Sequence, residues 1–151
     1  MREILFRGKD RKGEWVYGWL GHPHCYNPQT KEIDSVYFTE LREDLSGRLN
    51  VIVDYKTIGQ CTGLTDKNGT KIFEGDYWLD TDGDYIVFVV EFRDGQFCFV
   101  SYGVRGVLMP YGYDEDAGDF GELDCEPMTD FIIENIEIDG NIHDNPDVLE
   151  R

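Results

Sequence analysis

Histidine and cysteine side chains come together in one short stretch near the amino terminus. His22, His24 and Cys25 supply imidazole and thiolate groups, which zinc prefers as ligands. Cys61 or Cys125 could complete a tetrahedral site. However, no further ligands follow at a spacing typical of zinc sites. We favour a polar loop whose histidines face water, and we expect no bound metal.

A second candidate metal site is an acidic stretch that looks like a calcium-binding loop. Asp80, Asp82 and Asp84 alternate, and Glu91 falls at the twelfth position, where such loops carry a bidentate glutamate. The glycine that the loop requires at its sixth position is replaced by Tyr85, which begins a strand-like run instead. The stretch is therefore interpreted as an acidic hairpin turn.

The sequence lacks the motifs of nucleophilic and phosphate-binding catalysis. Its serines lie in no Gly-x-Ser-x-Gly motif, and it has no Gly-x-x-x-x-Gly-Lys-Ser/Thr phosphate loop. With 31 acidic residues, a pair of carboxylates close in sequence has no diagnostic value. We expect a protein that is not an enzyme and that needs no cofactor.

The four cysteines are expected to be reduced. Their spacing contains no Cys-x-x-Cys pair, and no secretion signal accompanies them. The four positions are Cys25, Cys61, Cys98 and Cys125.

Aromatic side chains alternate along one predicted strand. Trp15, Tyr17 and Trp19 occupy every second position, so they share one face of the strand. Such a face most often forms the core of a small barrel or sandwich, which is the interpretation we favour. An exposed face would instead offer a platform on which bases stack or a clamp for a proline-rich peptide.

Composition predicts the fold class. The 151 residues include 9 Phe, 9 Tyr, 3 Trp and 17 Gly but a single alanine. Alanine favours helices, whereas aromatic and β-branched side chains fit strands and glycine suits closely spaced turns. We predict a mainly β protein with a small barrel-like or sandwich architecture and one or two short helices. Residues 1–151 suit one domain, and two subdomains would meet near Glu74.

Local patterns predict individual elements. Residues 71–102 contain hairpin signals such as Asp94-Gly95 and predict a β-meander. Within it, residues 86–90 are apolar on both faces, which places them at the centre of a sheet. The prolines of residues 21–30 predict a loop, and residues 40–48 predict a short helix.

Charge is distributed unevenly along the chain. The 14 basic and 31 acidic residues give a net charge of −17. Residues 1–75 carry 11 of each sign, whereas residues 76–151 carry 3 basic and 20 acidic residues (3 − 20 = −17). A solvated acidic surface is the ordinary explanation, and a surface that attracts a basic partner is the alternative. The binding candidates in this half are Asp114, Glu115, Asp116 and Asp119.

The same charge argues against two kinds of partner. Proteins that bind nucleic acid directly carry basic patches, so no direct nucleic-acid binding is expected of a chain with this acidic excess. No apolar run reaches the roughly 18 residues that a membrane span needs, so no membrane partner is expected either.

Four segments in order resemble a known family. They are FRGK with GEWVYG near the amino terminus, TIGQCTGLTDKNG continued by KIFEGD, VVEF, and GNIHDNPDVL near the carboxyl terminus. Together they resemble the YopX-like family of bacteriophage and prophage proteins. The resemblance implies mainly β architecture with a small barrel-like half and an intracellular, phage-derived origin, and it implies no catalytic residues. The acidic insertion at 114–126 and Cys61 depart from the pattern.

These observations predict a non-enzymatic phage accessory protein in the cytoplasm of the host cell. It would bind a host or phage macromolecule of basic character. The alternatives are an acidic mimic of nucleic acid that inhibits a DNA-binding protein, and a metal-dependent hydrolase that uses His22 and His24. We also expect a homo-oligomer in preference to a monomer, because the apolar strand at 85–92 and its neighbours would leave β-edges that need covering.

Overall fold

The computed structural model describes residues 4–41, 50–80, 86–102, 126–128 and 133–149. Within these ranges the chain is mainly β, as predicted, with two 3₁₀ turns at Tyr55–Thr57 and Pro146–Leu149. The strands are β1 (Phe6–Lys9), β2 (Trp15–Asn27), β3 (Glu32–Glu40), β4 (Val51–Asp54), β5 (Gly59–Thr65), β6 (Lys71–Phe73), β7 (Asp76–Asp80), β8 (Ile86–Arg93), β9 (Gln96–Tyr102), β10 (Glu126–Pro127) and β11 (Gly140–Asn141). No helix in these ranges is long and apolar enough to cross a bilayer.

The strands form two antiparallel sheets. The first has the order β4-β3-β2-β1-β5-β6, and the second has the order β10-β9-β8-β7-β11. The helix predicted for residues 40–48 lies largely outside the described residues, and its first residue, Glu40, ends β3.

The chain divides into two compact units. The amino-terminal unit is Met1–Gly63 and the carboxy-terminal unit is Leu64–Arg151. The first carries 9 basic and 9 acidic residues (9 − 9 = 0), and the second carries 5 and 22 (5 − 22 = −17). The charge asymmetry of the sequence therefore follows the division into units. A single family domain with a junction near Glu74 stays a prediction.

A long β2–β3 hairpin dominates the amino-terminal unit. β2 continues to Asn27, so the loop predicted for residues 21–30 is wrong for residues 21–27 and is confirmed only for the turn at 28–30. The prediction from proline failed because the β2–β3 register shifts on either side of Pro23. Such irregular positions in a strand do not require the backbone N–H that proline lacks. The turn itself follows Asn27, whose Oδ1 accepts the N–H of Gln29 at 2.9 Å, and Lys31 takes a positive φ of 64°.

The core of the amino-terminal unit lies on one face of its curled sheet. Val16, Phe38 and Val53 are buried together there. An isolated antiparallel bridge joins Asp10, beyond the end of β1, to Val53 of β4. A bridge of one residue pair curls the sheet without closing it, so this unit approaches a barrel but remains open.

Gly8 permits this curl. A Cβ built on Gly8 would overlap Cγ1 of Val53, which is fully buried. The absence of a side chain at position 8 therefore lets β1 approach β4 across the core.

The carboxy-terminal unit is built on the meander β7-β8-β9. The predicted meander is confirmed for these strands, but β6 stands beside β5 in the first sheet. Asp94 and Gly95 form the β8–β9 turn with φ of 50° and 80°, the conformation that an Asp-Gly pair favours. The turn predicted at Asp82-Gly83 lies outside the described residues.

β8 is buried on both of its faces, as its apolar sequence predicted. Phe88 and Val90 belong to one hydrophobic cluster, whereas Val87 and Val89 belong to another. Because β7 and β9 flank β8, this strand has no edge for a second copy to cover. The edge strands of this sheet are β10 and β11, and the homo-oligomer stays a prediction.

The cysteines do not all behave as predicted. Cys98 is disulfide-bonded, so the expectation of four reduced thiols is wrong, whereas Cys25 and Cys61 are free. The expectation was drawn from spacing along the chain and from the lack of a secretion signal, but a disulfide depends on the separation of two residues in space. Cys125 lies outside the described residues.

Substitution of Gly8 tests the curl of the amino-terminal unit. We expect Gly8→Ala to lower the free energy of unfolding by about 1–3 kcal/mol, because the new methyl group overpacks the core at Val53. Urea denaturation measures the change. Arg11→Ala, at an exposed position of the neighbouring turn, is the control and should change stability by less than about 0.5 kcal/mol.

The double variant Gly8→Ala/Val53→Ala makes the test specific. Removing the Val53 methyl groups makes room for the new Cβ. The double variant should therefore lose less stability than the sum of the losses of the two single variants. If the losses of stability from the two single substitutions simply add in the double variant, a Cβ at position 8 does not clash with the side chain of Val53.

Candidate binding surface

The aromatic side chains of β2 lie on its outer face. Tyr17 is 40% exposed and Trp19 is 50% exposed, whereas Val16, between Trp15 and Tyr17, is 1% exposed. The interpretation as core is therefore wrong for Tyr17 and Trp19, which are exposed, whereas Trp15 is half-buried. We call Trp15, Tyr17 and Trp19 the aromatic surface.

The burial of Val16 shows which face of β2 is inward. A Cβ built on Gly18 would overlap the carbonyl oxygen of Thr39, so β3 lies against this glycine. Gly18 and Val16 share the core face, and strand geometry then turns the odd-numbered positions to the opposite face. A row of large aromatics can occupy only the side that the core leaves open.

Two cations lie on the same sheet face as Trp15, namely the half-buried Lys9 and Arg7, which is only 6% exposed. Arg7 pairs with Tyr17 and Lys9 pairs with Trp15 in the β1–β2 register, so all four share one face. Arg7 Cζ lies 4.7 Å from the centroid of the Trp15 ring, and Lys9 Nζ lies 5.2 Å from it. Both distances are within the range of a cation–π interaction.

The sequence analysis did not identify Arg7 and Lys9 as members of this surface. The signal available in the sequence was that these two cations are two residues apart on a strand that forms a short hairpin with the strand of Trp15. It becomes informative only once the pairing register is known, since a slip of one residue would move both cations to the other face.

β3 extends the surface on the other side of β2. Thr39 pairs with Trp19, and the N–H of Leu41 donates to the carbonyl oxygen of Tyr17 at 2.8 Å. Leu41 is itself exposed, so an apolar side chain borders Tyr17. Aromatic, aliphatic and cationic groups therefore occur together on one sheet face.

The histidines of the candidate metal site lie on a strand, further along β2. The ring centroids of His22 and His24 are 5.1 and 4.8 Å from that of Tyr37, and His24 Nδ1 lies 3.0 Å from Ser35 Oγ. Cys25 is exposed. Across the described ranges, no three His, Cys, Asp or Glu side chains are grouped so as to hold a metal ion.

The acidic candidates cannot be placed. Asp114, Glu115, Asp116 and Asp119 lie outside the described residues, as do residues 81–85 of the calcium-like stretch. Their role as a binding surface stays a prediction.

Asp66, in the most distinctive segment of the sequence, holds backbone groups together. Its Oδ1 accepts the N–H groups of Asn68 and Thr70 at 2.9 and 3.0 Å, and its Oδ2 accepts that of Ile138 at 3.0 Å. Burial alone would raise the pKa of this carboxyl group, but the three N–H donors and the charge of Lys67 together lower it below the usual value. Asp66 is a structural anchor within the carboxy-terminal unit.

The end of the same segment is also occupied by backbone contacts. Asp76 Oδ2 accepts the N–H of Phe73 at 2.8 Å. Gly75 has a φ of 86°, and its carbonyl oxygen accepts the N–H of Ile142 at 2.9 Å. A Cβ built on Gly75 would lie 3.2 Å from Nε2 of His143. The segments at 66–76 and 138–145 therefore form one structural assembly.

The distinctive segments also identify the family. A family model described as "YopX protein" matches residues 5–150. The chain belongs to the YopX family. The resemblance noted in the sequence is thus confirmed, and in this YopX chain the segment at 66–76 builds the fold.

Comparison with other known proteins adds information on the fold. The chain is similar to the crystal structure of protein EF1440 from Enterococcus faecalis, with 17% sequence identity and a TM-score of 0.50. The match covers 99% of this chain and 100% of the other. At this identity the likeness concerns architecture alone. No curated protein matches the sequence.

Asp66→Asn tests the anchor through its pH dependence. At pH 7 we expect the free energy of unfolding to fall by about 1–3 kcal/mol, because an amide cannot accept all three N–H groups. The pKa of Asp66 is lowered by folding, so its stabilising effect is present above the unfolded-state value and is lost as pH falls through the folded-state value. The difference between native protein and variant should therefore shrink on acidification.

Urea denaturation of both proteins at pH 7 and near pH 3 measures this difference. The exposed Asp34, in the amino-terminal unit, provides the control variant Asp34→Asn, which should follow the native protein at both pH values. A difference for Asp66→Asn that stays constant with pH would contradict the role of the ionised carboxylate.

Proposed function

We propose that this YopX chain is a non-enzymatic accessory protein of a phage or prophage, which acts in the cytoplasm of the host cell and binds a macromolecular partner. The observation that carries the proposal is the exposure of Tyr17 and Trp19 above a well-packed core. Exposed aromatic side chains in a row are costly to leave in water, and aromatic residues are enriched where proteins bind other molecules.

The free energy that covering the exposed rings would release is large enough to support binding. A fully buried aromatic side chain removes 150–250 Å² from water, so covering the exposed 40–50% of Tyr17 or Trp19 would remove about 60–125 Å². At about 25 cal/mol per Å², each ring would contribute about 1.5–3 kcal/mol to association. Contributions of this size are typical of the few residues that dominate an interface.

Charge supports a basic partner. The carboxy-terminal unit carries the entire net charge of −17, and Asp114, Glu115, Asp116 and Asp119 contribute to it. A field of one sign accelerates the approach of an oppositely charged partner and repels partners of the same sign. We propose that the acidic unit steers a basic host or phage macromolecule, while the aromatic surface supplies contact area.

Capture from the lysate of a host that carries the phage or prophage tests this function. We expect immobilised native protein to retain a partner that Trp19→Ala fails to retain, because the exposed ring is a contact and not a core residue. Tyr55→Ala is the matched control, since Tyr55 is 49% exposed in the same unit and lies outside the aromatic surface.

Two further measurements complete the test: the dependence of capture on salt and the displacement of the captured partner by DNA. Capture should weaken at high ionic strength, because steering by exposed charges is screened. Equal capture by Trp19→Ala and native protein would refute the proposed surface. Displacement of the captured partner by duplex DNA would indicate instead that the acidic unit acts as a nucleic-acid mimic.

A further inference from the structure

We propose that Asn68 is a site of spontaneous deamidation, and that the turn held by Asp66 sets the rate of this modification. The inference is independent of the proposed function and concerns the carboxy-terminal unit alone. It combines three observations: the glycine that follows Asn68, the exposure of the Asn68 side chain, and the hydrogen bonds of the surrounding backbone.

Asn68 is the one asparagine of this chain that precedes a glycine. The asparagines are followed, in chain order, by Pro28, Val51, Gly69, Ile136, Ile142 and Pro146. Deamidation begins when the backbone nitrogen of the next residue attacks the side-chain amide carbon, and a residue without a side chain leaves this approach open. Proline has no N–H to lose, and the branched Cβ of valine or isoleucine crowds the attack. The sequence therefore singles out Asn68.

The Asn68 side chain is accessible to solvent. Asn68 and Gly69 are both exposed. Within the described residues, Asn68 makes a hydrogen bond through its backbone N–H and none through its side-chain amide. The amide carbon is therefore free to react, the ammonia that leaves can escape, and water is at hand for the hydrolysis that follows.

Hydrogen bonds restrain the nitrogen that must attack. The N–H of Gly69 donates to the carbonyl oxygen of Asp66 at 3.0 Å, and Gly69 has a φ of 80°. Asp66 Oδ1 accepts the N–H groups of Asn68 and Thr70 at 2.9 and 3.0 Å. Attack requires the Gly69 nitrogen to leave its acceptor and approach the Asn68 side chain, so the turn must open first. The turn therefore slows the reaction in the folded protein.

The same turn is fixed to a second segment of the unit. The N–H of Lys67 donates to the carbonyl oxygen of Ile136 at 3.1 Å, and the N–H of Ile138 donates to Asp66 Oδ2 at 3.0 Å. Opening the turn disturbs these bonds as well, which makes the open form rarer. Asp66 thus controls the reaction through both of its carboxylate oxygens.

The modification proceeds in two steps. The Gly69 nitrogen loses its proton and forms a bond to Asn68 Cγ, the bond from Cγ to the side-chain nitrogen breaks, and the side-chain NH2 leaves with a proton as ammonia. The product is a cyclic imide, the succinimide. Water then opens this ring at either of its two carbonyl groups. One opening gives aspartate, and the other gives isoaspartate, whose main chain runs through the former side chain.

Both products disturb the Asp66 anchor. Isoaspartate adds a methylene group to the main chain between the N–H groups of residues 68 and 70, whose spacing lets one oxygen of Asp66 accept both. Either product also places a second carboxylate in the turn that already holds the Asp66 carboxylate, and like charges repel. The modified protein is therefore less stable, and Asn68 limits the lifetime of the fold.

Mass spectrometry of the full chain tests the inference. Deamidation replaces an amide NH2 with OH, which the mass reveals and peptide mapping locates. At neutral pH we expect Asn68 to react at least about tenfold more slowly in the folded protein than in the same chain unfolded by guanidinium chloride. A tenfold difference corresponds to about 1.4 kcal/mol, which the hydrogen bonds lost on opening can supply. Asn50, which is also exposed but precedes Val51, is the internal control and should react far more slowly than Asn68 in the unfolded chain.

A variant assigns the protection to Asp66. Asp66→Ala removes the carboxylate that accepts the N–H groups of the turn, so the rate at Asn68 in the folded variant should approach that of the unfolded chain. Asp34→Ala, at an exposed position of the other unit, is the matched control and should leave the rate unchanged. Circular dichroism confirms that each variant retains the β fold. If Asp66→Ala does not fold, the comparison of folded and unfolded native protein decides the question.

The effect on stability is measured on the modified protein itself. Ion exchange separates the modified chain by its added negative charge, and urea denaturation compares it with the unmodified chain. We expect the modified chain to unfold at a lower urea concentration. Equal stability of the two forms would refute a role of Asn68 in limiting the lifetime of the fold.

Three results would overturn the site or its control by the turn. They are equal rates at Asn68 in the folded and unfolded chains, modification of the unfolded chain mainly at other asparagines, and a folded Asp66→Ala variant that reacts no faster than the native protein. Capture of a partner from lysate does not bear on any of them, so this inference and the proposed function stand or fall separately.

Discussion

The packing of Val16 against Phe38 and Val53 decides the organisation of the amino-terminal unit. Strand geometry sends neighbouring residues to opposite faces, so the burial of Val16 obliges Trp15 and Tyr17 to point outward. The exposed aromatics are thus a consequence of how the core is filled, and any binding by this unit depends on that packing.

The carboxy-terminal unit uses its polar residues differently. Asp66 accepts three backbone N–H groups, and Asp76 accepts that of Phe73. Carboxylates in such positions hold an irregular part of the chain together, because an unsatisfied N–H group in a buried turn would be costly. The segment by which the family is recognised therefore accounts for architecture. The surface proposed to bind a partner belongs to the other unit and required an argument of its own.

Much of the fold could be predicted from local sequence. The turn at Asp94-Gly95 and the two-sided burial of Val87–Val90 follow from properties of those residues themselves. Predictions failed where the outcome depended on how several strands pair with one another. Pro23 is tolerated because the β2–β3 register shifts around it, and β6 leaves the expected meander to stand beside β5. The disulfide of Cys98 likewise depends on proximity in space, about which spacing along the chain says nothing.

The sequence by itself determined that this protein is mainly β, that its charge is concentrated in the second half, and that Trp15, Tyr17 and Trp19 share one face. Only the tertiary structure decided that this face is the exposed one and that Arg7 and Lys9 stand beside it. An alternating pattern divides a strand into two faces but does not say which one is covered. That outcome depends on the volumes of Phe38 and Val53 on neighbouring strands and on the pairing register, both of which are properties of the assembled sheet.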